Sequence, residues 1–122
     1  MTDRRFTPEE ANALLPTVAP LLEQLRDAQQ LMDERHAAVM DSVPGNGGGP
    51  AGVEFLDAAR SAARCAAELG ALGVVVRDPG SGLVDFPAER DGIEVYLCWR
   101  LGEDAIAWWH PADSGFSGRQ PL

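Results

Sequence analysis

The chain contains no lysine: its ten basic residues are all arginine, set against nineteen aspartates and glutamates for a net charge of −9. The acid excess is not local. Residues 1–70 carry 6 Arg against 11 acids, and residues 71–122 carry 4 against 8. Neither half offers a basic face, which argues against DNA, RNA or an anionic membrane as partner. Arginine in place of lysine reads as coding bias, not as function. Cysteine is scarce too. Cys65 and Cys98 fall in different predicted elements, so two free thiols in a reducing cytoplasm are expected. Long apolar runs are also missing; none approaches the roughly 20 residues of a membrane-spanning helix. The opening Met-Thr-Asp-Arg-Arg has no apolar core behind it, so no signal peptide is expected.

The 122 residues suit one domain, 1–122, large enough to bury a core without disulfide or metal staples. Thr7-Pro8-Glu9-Glu10 places a hydroxyl at N-cap, Pro at N1 and Glu at N3, a capping box. Apolar residues then recur at Ala11, Leu14, Val18, Leu21, Leu25, Ala28, Met32 and Val39, a heptad stripe. Pro16 and Pro20 each remove a helix hydrogen bond, which predicts a kink near 12–20 or a short helix 8–15 before a longer one. Residues 41–50 read as a flexible loop. They share only glycine content with phosphate-binding loops, because the preceding strand, the Lys and the Ser/Thr are missing. A second, Ala-rich helix follows from about Ala51 to Leu69, with Gly70 as its closing residue. The first helix would be about 50 Å long and the second about 28 Å. The overhanging tip around Met32, Val39 and Met40 would need cover, which predicts a homodimer.

Beyond residue 72 the period changes to two. Val74 to Val76, Leu83 to Phe86, Ile93 to Arg100 and Asp104 to His110 read as strands, with turns at Asp78–Gly82, Pro87–Gly92 and Gly102-Glu103, then an irregular tail from Pro111. The expected class is α+β: a long N-terminal antiparallel helical hairpin (7–72), then a small antiparallel β-meander of three to four strands with a C-terminal tail (73–122). A two-residue loop at Gly102-Glu103 sets Tyr96 opposite Trp109 and separates His110 from Cys98. A three-residue loop sets His110 opposite Tyr96, beside Cys98. The first register is the one favoured.

Phe6-Thr7-Pro8-Glu9-Glu10-Ala11-Asn12 with Leu14-Leu15-Pro16 resembles the opening of the uncharacterised bacterial family called domain of unknown function 2203. Gly82 to Pro87, Glu94 to Trp99, Trp109-His110 and Gly115 to Leu122 also resemble it. The resemblance implies a bacterial origin and a small stand-alone protein. It implies no activity and transfers no catalytic residue.

Unusual side chains concentrate in 82–119. Asp85, Glu94, Glu103, His110 and Arg119 are the candidate ligand-binding residues. A metal site could draw on Cys98, His110 and Glu94, types that zinc and iron accept, but no paired Cys-x-x-Cys or His-x-x-x-His spacing is present, and no cofactor is predicted. A thiol nucleophile would need Cys98 with His110 as base, yet a mid-strand cysteine lacks the electropositive setting such thiols prefer. Acid–base work by Asp85 and Glu94 has no support from spacing. Arg119 could bind a carboxylate or phosphate, or could pin the tail by pairing with Asp85, Glu94 or Glu103. Trp99, Trp108 and Trp109 read as core and interface bulk, and His36 as solvated. The reading favoured from sequence is a non-enzymatic interaction or regulatory module that self-associates through its helices. The alternative is a small-molecule- or metal-binding protein, perhaps an enzyme, with a polar cluster on the sheet and tail.

Overall fold

A computed structural model describes residues 4–40 and 49–122. Most of the expected loop 41–50 lies outside the described residues. Helix α1 (Pro8–Met40) and helix α2 (Gly49–Ala71) form a hairpin, and five strands follow: β1 (Val75–Asp78), β2 (Leu83–Arg90), β3 (Ile93–Arg100), β4 (Trp108–Pro111) and β5 (Gln120–Pro121). They make one antiparallel sheet in sequential order.

The start of α1 is the capping box in full. Glu10 N–H donates to Thr7 Oγ1 at 3.1 Å, and Thr7 N–H donates to Glu10 Oε1 at 2.8 Å. Ala11, Val18, Leu22, Leu25 and Ala28 are the buried stripe. The expected break at the prolines does not occur; α1 is one helix through Pro16 and Pro20. Both prolines are exposed, so they fall on the solvent side rather than in the seam with α2. Helix α2 buries Ala58, Cys65 and Leu69 against that seam.

Gly73, not Gly70, closes α2. Gly73 N–H reaches Gly70 O at 3.0 Å and Val74 N–H reaches Leu69 O at 3.1 Å, the paired bonds of a Schellman cap. Gly73 has φ +91°, and a Cβ there would come within 3.2 Å of the Arg4 side chain.

One sheet face packs on the hairpin. Val84, Phe86, Ala88, Val95, Leu97 and Trp99 join Val18, Leu22, Leu25, Cys65 and Leu69 in a single core. Phe6 stands edge-on to Phe86 with ring centroids 5.3 Å apart. Strand β2 runs past the expected turn at Pro87 to Arg90, and Asp91-Gly92, both with positive φ, makes the hairpin instead. Pro87 is tolerated in the strand because its hydrogen-bonding side faces away from β3, where its carbonyl accepts from Phe6 N–H at 2.7 Å.

The β3–β4 connection also departs from expectation. It is not a two-residue loop but residues 101–107, and β4 begins at Trp108 rather than Asp104. The Glu103 carboxylate accepts from Arg100 N–H at 2.8 Å, and Glu103 O accepts the Trp99 indole N–H at 3.1 Å. Ile106 is buried and donates its N–H to Asn12 Oδ1 of α1 at 2.8 Å. Anchoring to the helix consumes chain that would otherwise have extended the strand. The resulting register sets Tyr96 opposite His110 and Cys98 opposite Trp108, the pairing disfavoured from sequence.

Candidate functional site

The sheet face turned away from the helices carries alternate residues of each strand: Asp85 and Pro87 of β2, Tyr96, Cys98 and Arg100 of β3, Trp108 and His110 of β4. Strand β1 adds Arg77. Val76 pairs with Val84 and Asp78 with Leu83, so Arg77 is the extra residue of a β-bulge. Val75 pairs with Asp85, so alternation places Arg77 on the face of Asp85. Arg77 Nε donates to Asp85 Oδ2 at 2.8 Å.

Asp85 is 2% exposed and His110 is 2% exposed. His110 Nε2 lies 2.9 Å from the same Oδ2, and His110 Nδ1 lies 2.8 Å from Pro111 O. Both ring nitrogens therefore lie within hydrogen-bond distance of an oxygen. Tyr96 packs along this group, stacked on His110 with centroids 5.5 Å apart and with the Arg77 guanidinium 4.9 Å from its ring centre. The hydrogen bond to Asp85 is the main reason the Arg77 guanidinium is held above its ordinary value. The second carboxylate oxygen, Asp85 Oδ1, is buried with no hydrogen-bond partner.

A cleft of about 240 Å³ opens at this point, lined by Arg77, Leu83, Asp85, Cys98, His110 and the tail residues Ala112 to Phe116 apart from Asp113. Burial, reinforced by the Asp85 charge, pushes the Cys98 thiol up to about 11. It stays a protonated thiol at neutral pH, which removes the condition for thiolate attack.

The tail folds back over the cleft. Arg119 donates to Glu103 at 2.9 and 3.1 Å, and its guanidinium lies 4.7 Å from the Trp108 ring and 4.5 Å from the Phe116 ring. Arg100 lies 4.3 Å from Phe116. Arg119 thus holds the short 3-10 turn Phe116–Gly118 against the sheet.

The candidates from sequence separate into three groups. Asp85 and His110 meet, with Cys98 beside them on the cleft. Glu103 and Arg119 meet each other and clamp the tail. Glu94 joins neither; it is exposed at the start of β3, 3.7 Å from Arg5. Among the described residues no group of three or more His, Cys, Asp or Glu side chains is placed to hold a metal ion, and no helix is long and apolar enough to cross a membrane. Sequence reasoning missed Arg77 and Tyr96. The signal for Tyr96 was present, in its alternation with Cys98. Arg77 had none, because the β-branched run stops at Val76 and bulges leave no mark in hydropathy.

A family model described as "Uncharacterized conserved protein (DUF2203)" matches residues 4–122. Among the curated proteins and the solved structures, nothing matches.

Proposed function

The chain belongs to the DUF2203 family, and from that premise and the geometry above we propose that it is a small-molecule-binding module whose outer sheet face holds the ligand. One observation carries this reading: Asp85 lies on the wall of a cleft, bonded through one carboxylate oxygen to Arg77 and His110, with its other oxygen buried and unpartnered. Burying charge costs several kcal/mol per ion, and a well-packed apolar trio would serve stability as well or better. An unpaired buried acceptor adds about 1–3 kcal/mol more. Such an arrangement is expected where a ligand completes it. The protonated thiol of Cys98 favours binding over nucleophilic catalysis.

The test is a thermal-shift panel of small polar molecules, followed by calorimetric titration of those that stabilise. The reading expects at least one to bind the wild type with one-to-one stoichiometry and to lose at least tenfold in affinity with Asp85→Asn. If every compound that binds is indifferent to this change, the cleft is not the binding site.

A second reading rests on the far end of the hairpin. Met40, Val53 and Leu56 are 70%, 61% and 55% exposed, in the half of the hairpin where Arg35 bonds Glu54 across the helices at 2.8 Å. This apolar tip supports self-association through the helices, giving a homodimer. Light scattering at micromolar concentration checks it: a monomer mass that persists as concentration rises removes this reading.

A further inference from the structure

We infer that the chain has a second binding site, on the helix side of the sheet, for a small monocarboxylate with an apolar body, such as an arylalkanoic acid. No residue lines both this site and the outer cleft, so it stands apart from the reading above. It is a cavity of about 360 Å³ between the segment leading into α1 and the paired strands β2 and β3. Phe6 N–H donates to Pro87 O at 2.7 Å and holds that segment to the sheet. Phe6, Ala88, Val95 and Leu97 are buried and form the floor, with the half-buried Trp109 beside them. The volume lies at the low end of the roughly 300–1,000 Å³ of small-molecule pockets, room for one ring and a short chain.

Arg90 supplies the charge. Ala88 pairs with Val95 and Arg90 with Ile93. Alternation therefore puts Arg90 on the inner face with Ala88 and sends Glu89 to the opposite one. The Arg90 guanidinium lies over the Trp109 ring, 4.6 Å from its centre, and both residues line the cavity. Such a contact engages the flat face of the guanidinium and leaves the N–H groups around its edge. The Arg90 side chain makes no hydrogen bond or ion pair with any described residue, although the chain carries nineteen acids. The other cation on the rim, Arg5, is already matched by Glu94 at 3.7 Å. One unmatched guanidinium takes one negative charge, and its planar fork fits a carboxylate bidentately. A dianion such as phosphate would bring a second, unmatched charge into a chain of −9 and leave the apolar floor uncovered. An amine would be repelled by Arg90.

Calorimetric titration of the full-length protein with 3-phenylpropionate, 3-phenylpropanamide, 3-phenylpropylamine, acetate and inorganic phosphate tests this. The first is expected to bind one-to-one and at least tenfold more tightly than each of the others, the size of a hydrogen bond to a charged group. Arg90→Gln removes the charge at an exposed position. It is expected to weaken 3-phenylpropionate at least tenfold, down to the level of the amide, and to leave the melting temperature of the free protein near that of the wild type. Arg60→Gln, on the surface of α2, changes the net charge equally and is expected to leave binding as it was. If the amide, the amine, acetate or phosphate binds as tightly as 3-phenylpropionate, the ligand class is overturned. If Arg90→Gln leaves the acid bound, or Arg60→Gln weakens it as much, the site is overturned. If none of the five binds, both are. None of these outcomes touches the outer cleft, whose own test is Asp85→Asn.

Discussion

In the hairpin, charged side chains pair in water. Arg35 with Glu54 and Arg60 with Asp57 keep a third or more of every side chain exposed, and their neighbours need nothing from them. On the outer sheet face the charged groups are placed in the interior. The Asp85 and His110 side chains are almost wholly buried at the base of the cleft, and Arg119 is 13% exposed against Glu103. The same residue types are thus solubilising ornament in one region and committed structure in the other. Exposed pairs are worth about 0–1 kcal/mol. A buried group stripped of its partner costs several. Charge counts along a sequence cannot see that difference, because it depends on how much water each pair displaces.

Four measurements test the contrast, starting where the effect is largest. Asp85→Ala leaves His110 buried without its acceptor and Arg77 without its anchor. We expect a loss of about 3 to 4 kcal/mol in urea unfolding, toward the low end of the range for breaking a buried pair because Arg77 can turn to solvent. A loss below about 1 kcal/mol would mean that the outer face handles charge as the hairpin does.

Next comes pH. The Cys98 thiol lies at about 11 in the folded chain against an ordinary 9.0. Between those values the unfolded chain gives up its proton while the folded one keeps it, so unfolding is favoured as pH rises. Stability present below pH 9 is therefore expected to fall by about 2 to 3 kcal/mol on the way to pH 11, since one proton bound only by the folded chain is worth about 1.4 kcal/mol for each pH unit crossed. Cys98→Ala should lose this component of the pH dependence, and an unaltered profile would show that the thiol is not held in a low-dielectric site.

A smaller change is expected at the start of α1. Thr7→Ala removes half of the capping box, with an expected cost of about 1 kcal/mol, read as a shift in urea midpoint with no change in slope. The smallest belongs to the hairpin surface: Glu54→Ala should cost no more than about 0.5 kcal/mol and become neutral at high salt. A cost there comparable to that of Asp85→Ala would erase the distinction between the two regions.

Local chemistry determined a great deal from the sequence alone. The capping box at Thr7, the buried stripe through Val18 and Leu25, the change of period near residue 73 and the alternation along 93–100 each depend on neighbours within one or two turns or along one strand. These are relations that spacing encodes directly. They carried the α+β class and placed Asp85, Cys98 and His110 in strands. The continuity of α1 past Pro16 and Pro20 was not legible, since it depends on which side of the helix faces water. Nor was the closure of α2 at Gly73.

Only the tertiary structure decided the site. Whether His110 meets Cys98 and Asp85 turns on a register difference of one residue, and that difference is set far away, where Asn12 of α1 holds Ile106 and lengthens the loop. Whether Arg77 reaches Asp85 turns on the β1–β2 register, which sets Val75 opposite Asp85 and so puts Arg77 on the same face. Because successive strand residues point to opposite faces, a one-residue difference in pairing moves a side chain from one side of the sheet to the other. No property of a single strand records which of the two has occurred; it is fixed by a contact between residues 94 positions apart in the chain.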